Sequence, residues 1–224
     1  MRTKRQRELL QASLDIVGYD GFSKLTIRNI AARVGVTEPA VYRHFGSKLE
    51  LLTALLEDIQ ATAATHFHKL TAESEQETEL KPLLSRFIHG LFKDLTAHPA
   101  YASFLFSEEV FHIQPETRPL MAKIMQENMT VLAASIEKLQ QKGLCRNDLS
   151  PMDLSPVLMG SIRFMVSRWN VNRETKQAEA LCGSFSSTMA HLFAHPAGFG
   201  SAGSPGGRGI PADHKGARKF PGKG

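Results

Sequence analysis

Between residues 3 and 195 apolar side chains recur three and four positions apart, the spacing of a helix with one buried face. No stretch alternates as a half-buried strand does. Leu9, Leu10, Ser13, Leu14, Ile16 and Val17 mark a first helix that ends near residues 18–21. Thr26 is placed to cap a second, which carries Ile27, Ile30, Ala31 and Val34 and stops at Gly35. Thr37 is placed to cap a third, with Glu38 in its first turn and Pro39 where a missing N–H costs little. Ser47 opens a fourth, whose stripe runs Leu52, Leu55, Leu56, Ile59, Ala63, Phe67 and Leu70. A fifth spans Leu80 to Leu95 and ends at His98 and Pro99; a shorter one carries Tyr101, Phe104, Leu105 and Val110. Three more follow: Leu120 to Leu139, closed by Gly143, then Leu154 to Trp169, then Ala178 to Phe193. The pattern predicts an all-α chain of about nine helices.

Charge divides the chain in three. Over its 224 residues the formal net charge is +5 and the pI about 9.3. Residues 1–48 hold nine Lys/Arg against four Asp/Glu, residues 49–195 thirteen against seventeen, and residues 196–224 five against one. A basic head, a mildly acidic body and a basic tail say more about partners than the total does. The tail holds nine of the 17 glycines and four of the 11 prolines and has no periodicity, so a disordered Gly/Pro-rich segment is expected over 196–224. No apolar run approaches the roughly 20 residues of a membrane span. Glu8, Gln11 and Asp15 interrupt any apolar signal core near the start. A cytoplasmic, nucleoid-associated protein without a membrane partner is expected.

The candidate chemistry is sparse outside the head. Cys145 and Cys182 are too few for a disulfide framework or a four-ligand zinc site. His66 and His68 are two apart and point to different faces of a helix. Glu73, Glu75, Glu77 and Glu79 read as a solvated acidic connector between helices four and five. No phosphate loop, paired catalytic carboxylates or nucleophilic triad stands out, so neither an enzyme nor a bound metal or cofactor is expected.

The informative stretch is TIRNIAARVGVTEPAVYRHFGSK, residues 26–48. Two short amphipathic helices meet at Gly35, where a tight turn favours a residue with no Cβ. Ile30, Ala31, Val34, Val36, Val41 and Phe45 supply the apolar surface that locks the pair. Left outside on the third helix are Thr37, Glu38, Pro39, Ala40, Tyr42, Arg43 and His44, a polar, aromatic and basic face suited to a major groove. Arg43 can donate two hydrogen bonds to guanine, and Pro39 and Ala40 can press on thymine methyls. Tyr42, His44 and Thr26 can donate to phosphates. Lys48, at the opening of helix four, offers an anion site. Arg28 can reach backbone or base edges, and a flexible arm of Arg2, Lys4 and Arg5 can add phosphate contacts. A DNA-binding unit over residues 1–48 is expected, with a second helical domain over 49–195.

These residues resemble the DNA-binding domain of TetR/AcrR-family transcriptional regulators. Thr26, Arg28, Ile30, Ala31, Gly35, Val36 and Thr37 fit the family's first helix pair, and Val41, Tyr42, His44, Phe45, Ser47 and Lys48 fit the segment after it. Glu38, Pro39 and Ala40 depart from the pattern, so base preference does not carry over there. The resemblance implies a homodimer on a roughly palindromic double-stranded operator, joined through the last two helices of each subunit. It points to Leu158, Ile162, Met165, Trp169, Phe185 and Met189 as dimer contacts. It also implies a small-molecule effector, apolar or amphipathic, held among helices four to seven. Candidate lining is Phe67, Phe87, His89, Leu91, Phe104, Phe106, Phe111, Met121 and Met125, although each of these also fits plain core. The reading is a repressor released by that effector. Its alternative keeps the DNA contacts and acts through a protein partner, as a nucleoid-occlusion factor in this family does. A helical enzyme or lipid carrier is the third class, and would function without Tyr42 and Arg43.

Overall fold

The computed structural model describes residues 2–106, 114–172 and 175–194. Among them are nine α-helices: α1 (Lys4–Asp20), α2 (Ile27–Val34), α3 (Glu38–Tyr42), α4 (Lys48–Gln76), α5 (Leu80–Ala97), α6 (Pro99–Phe106), α7 (Arg118–Gln141), α8 (Pro151–Asn172) and α9 (Thr175–Phe193). The fold is all-α. The expected tail, 196–224, lies outside the described residues.

Local chemistry sets the helix ends. Thr3 and Gln6 form a capping box at the start of α1: the Gln6 N–H donates to Thr3 Oγ1 at 3.2 Å and the Thr3 N–H to Gln6 Oε1 at 3.0 Å. The helix therefore begins at Lys4, so Lys4 and Arg5 belong to it rather than to a flexible arm. Arg2 folds back to pair with Glu57 and Asp58 on α4, and Arg5 pairs with Glu8. Thr26 and Ser47 cap α2 and α4 through their side chains, as their positions predict. Thr37 makes no such bond. The second helical residue is Pro39, which has no N–H to offer, and the Ala40 N–H turns to the Thr37 carbonyl at 2.9 Å.

The buried side chains form two clusters. The first joins α1 to α3 with residues 51–59 of α4, and takes in Phe104 of α6 and Met121 and Ile124 of α7. Phe104 is fully buried there, its ring 4.9 Å from Phe22. The second joins the rest of α4 with α5, α7, α8 and α9. α5 is its axis and packs against α4, α6, α8 and α9, while α7 lies across α4 and α8.

The acidic connector is only partly a linker. Glu73 and Glu75 lie inside α4, which runs to Gln76. Arg86 of α5 pairs with Glu73 at 2.9 Å and with Glu77, and Lys138 of α7 pairs with Glu75 at 2.6 Å. The Lys142 ammonium donates to the carbonyls of Ser74, Glu75 and Glu77, the orphan acceptors at the end of α4. Basic residues on α5 and α7, distant in sequence, draw the acidic run onto the protein surface.

Candidate nucleic-acid interface and ligand cavity

The α2–turn–α3 unit is assembled from the turn outward. Gly35 adopts φ +73°, the left-handed region that a residue with a Cβ enters at a cost. Its N–H donates back to Ala31 and Ala32, and the Val36 N–H reaches the Ala31 carbonyl at 2.9 Å. Val41 and Phe45 point inward and are buried. Gln6 of α1 donates to the His44 carbonyl at 3.1 Å, fastening the end of α3 to the first helix. Thr26, Arg28, Thr37, Glu38, Pro39, Tyr42 and Arg43 are exposed, and Ala40, His44 and Lys48 are half-buried. The ten residues therefore lie at accessible positions along α2, α3 and the opening of α4.

Two features of this surface escape the motif. Arg33 pairs with Asp20 at 2.7 Å and is diverted from any partner outside the chain, whereas Arg28 and Arg43 have no ion pair among the described residues. At the start of α4 the Glu50 N–H donates to Ser47, and the Glu50 carboxylate takes the Gly46 N–H at 2.7 Å. An anion arriving beside Lys48 meets a helix end already served by a carboxylate. Burial also pulls the Lys48 ammonium below its ordinary pKa.

A cavity of about 350 Å³ lies between α4, α5, α6, α7 and α8. Ile59, Ala63 and Phe67 line it from α4, Leu91 and Leu95 from α5, Tyr101 from α6 and Ile162 from α8. Met121, Met125 and Met129 form one face of α7, and Met159 stands on α8. Its open side lies between α7 and α8, where Met125, Pro156, Gly160 and Arg163 are exposed. Two polar pairs sit in its wall. The side-chain amides of Gln60 and Asn128 exchange hydrogen bonds at 2.9 and 3.1 Å across α4 and α7. His66 Nε2 lies 2.7 Å from Asp94 across α4 and α5.

Residues 9–55 match the family model for bacterial regulatory proteins, tetR family. The stretch from α1 into α4 is thus similar to that family. Among curated proteins, the nucleoid occlusion factor SlmA of Alteromonas mediterranea is 28% identical over 131 residues, which is 58% of this chain and 66% of that protein. The match thus falls just short of two thirds of that relative's length. Among solved structures, the fatty acid degradation regulator FadR of Bacillus halodurans superimposes with a TM-score of 0.72 at 17% identity, over 85% of this chain and 96% of the other. The FadR of Bacillus subtilis in complex with stearoyl-CoA gives 0.67 at 18% identity, over 82% and 97%. At such identities these structures share the fold.

Within this fold, the expected effector residues separate. Phe67, Leu91, Met121 and Met125 line the cavity. Phe87 instead packs edge-on behind Phe67 at 5.4 Å, and Phe104 is committed to the first core. His89 is exposed on α5, its ring nitrogen 2.7 Å from the Ser85 carbonyl. Phe111 lies outside the described residues, as does the side chain of Phe106. The spacing of Met121, Met125 and Met129, four apart on one helix face, was the available signal for that wall. Asn128 is a polar candidate the sequence also offers, whereas Met159 and the His66–Asp94 pair carry no such signal.

The expected dimer contacts require a correction. Leu158, Ile162, Met165, Trp169 and Met189 are buried in the subunit's own second core, and Phe185 is half-buried against it. A wide apolar stripe on a helix first covers its own core, and these residues form that inner face. Outward apolar residues among the described ones include Val157 and Phe164 on α8, with Phe164 71% exposed, and Leu192 on α9.

Proposed function

We propose that this protein is a dimeric DNA-binding transcriptional regulator. In this reading it is a repressor that leaves a roughly palindromic operator when a small apolar or amphipathic effector enters the cavity. The observation that carries the reading is the exposed α3 face, held in register by the Gly35 turn and the buried Val41 and Phe45. Arg43 reads a base edge, Pro39 and Ala40 contact thymine methyls, and Thr26, Tyr42, His44 and Lys48 engage phosphates. Arg28 contributes at the edge of the site, and Thr37 and Glu38 border it. One such small head reads few base pairs, so two heads related by a twofold axis are needed for a specific site. The uncovered Val157, Phe164 and Leu192 support pairing through α8 and α9.

An effector reading is supported by the cavity and by the solved fold-mate bound to stearoyl-CoA. An effector acts here only if it binds one arrangement of the heads better than the other. Selecting bound sequences from a random DNA pool tests the proposal. Enrichment of a palindrome supports it, and recovery of unselected sequence counts against it. The match to a nucleoid occlusion factor favours a second reading, in which the DNA-bound dimer engages a protein partner. Under that reading no small molecule displaces the selected DNA, and a partner is captured only in its presence.

A further inference from the structure

We propose that the molecule taken by the cavity is uncharged and largely apolar, selected by size and shape and not by an ionised group. The inference rests on the effector reading above and narrows its chemistry. Among the described residues seven polar ones line the cavity, and each already has a partner within the protein. Gln60 and Asn128 satisfy each other through two hydrogen bonds. His66 holds Asp94. Thr62 donates to the Asp58 carbonyl at 3.1 Å, and the Tyr101 ring stacks on His98 at 4.9 Å. Arg163, on the exposed rim, is also engaged.

A ligand that brings a charge inside must therefore break one of these pairs or remain unmatched. Either event costs more than burying the same skeleton without the charge. The rest of the wall is aliphatic, aromatic or thioether. Met121, Met125, Met129 and Met159 adapt to an apolar outline without offering it a strong hydrogen bond. At about 350 Å³ the space lies near the small end of the roughly 300–1,000 Å³ typical of ligand pockets.

The His66 and Asp94 pair is also built in sterically. The imidazole sits against α5 at Gly90, where an added Cβ would stand 2.7 Å from Nδ1 and 2.9 Å from Cε1. His66 borders both the cavity and a groove on the other side of the α4 and α5 contact. The ring closes the wall between them while neutralising the hydrogen-bonding demand of the Asp94 carboxylate.

The test uses the full chain and matched probes that differ in charge: decanol, decanoate and decylammonium, and naphthylethanol, naphthylacetate and naphthylmethylammonium. Binding is measured by calorimetry at neutral pH, alongside release from the selected operator. The neutral member of at least one series is expected to bind about tenfold or more tightly than either ion. His66→Leu leaves the Asp94 carboxylate without its partner, and should raise the affinity for decylammonium relative to decanol about tenfold. Should that variant fail to fold, Asn128→Asp places a carboxylate in the same wall and predicts the same shift. Decanoate or decylammonium binding the native protein as tightly as decanol, with the naphthalene series behaving likewise, overturns the inference and leaves the effector reading standing. If no probe of either series binds, both are overturned.

Discussion

At the scale of single residues, Arg43 is a side chain held in place without being used up. Its neighbours Val41 and Phe45 are locked inside, and no carboxylate pairs with it among the described residues. Arg43→Ala is expected to weaken binding at the selected operator by about 1–3 kcal/mol and to relax preference at one base position. Competition binding against single-base operator variants measures both, and an unchanged base preference removes Arg43 as a reader. The cysteines are the opposite case. Burial pushes both Cys145 and Cys182 up to about 11, so neither supplies thiolate at neutral pH. An aromatic disulfide reagent should label the folded protein very slowly and the denatured protein at once; rapid labelling of the native state would contradict this environment.

At the scale of elements, α4 joins the two ends of the molecule. Its 29 residues extend about 43 Å, from the Ser47 cap beside α3 to the tied end near Gln76. Lys138 holds the Glu75 carboxyl, and Arg86 the Glu77 carboxyl, below the ordinary carboxylate range. Carboxyls depressed in this way stabilise the fold above their unfolded pKa, and the contribution disappears as pH falls through the folded value. Glu75 is exposed and Glu77 half-buried, so salt also screens the effect, more at Glu75 than at Glu77. A Glu75→Gln, Glu77→Gln variant should melt slightly below the native protein at neutral pH and low salt. The difference should close in acid or at high salt; a gap that persists in acid would mean that the ties act through packing. The boundaries of α4 show what a sequence can disclose. Its Ser47 cap is a local signal and was legible. Its true end was not, because the partners of the glutamates lie on α5 and α7. The same holds for the cavity: an apolar stripe has one pattern whether it faces core, void or partner, and so Ile162 resembled a dimer contact and Phe104 a ligand contact.

At the scale of the whole molecule, the two apolar cores leave some greasy surface uncovered on α8 and α9. Phe164→Glu should leave the helical content intact while shifting the protein toward monomer, and should lower operator affinity because one head holds DNA weakly. Sedimentation velocity and titration with the selected operator read the two effects; a dimer that survives the charge places the interface elsewhere. Ile59, Met121 and Ile124 belong at once to the first core and to the cavity wall. The head is therefore floored by the same side chains a guest molecule would touch. Filling the cavity amounts to lending the head extra interior, and emptying it withdraws that interior again. Amide hydrogens of α1 and of the first turns of α4 should exchange more slowly when a guest is present, far from any atom it contacts.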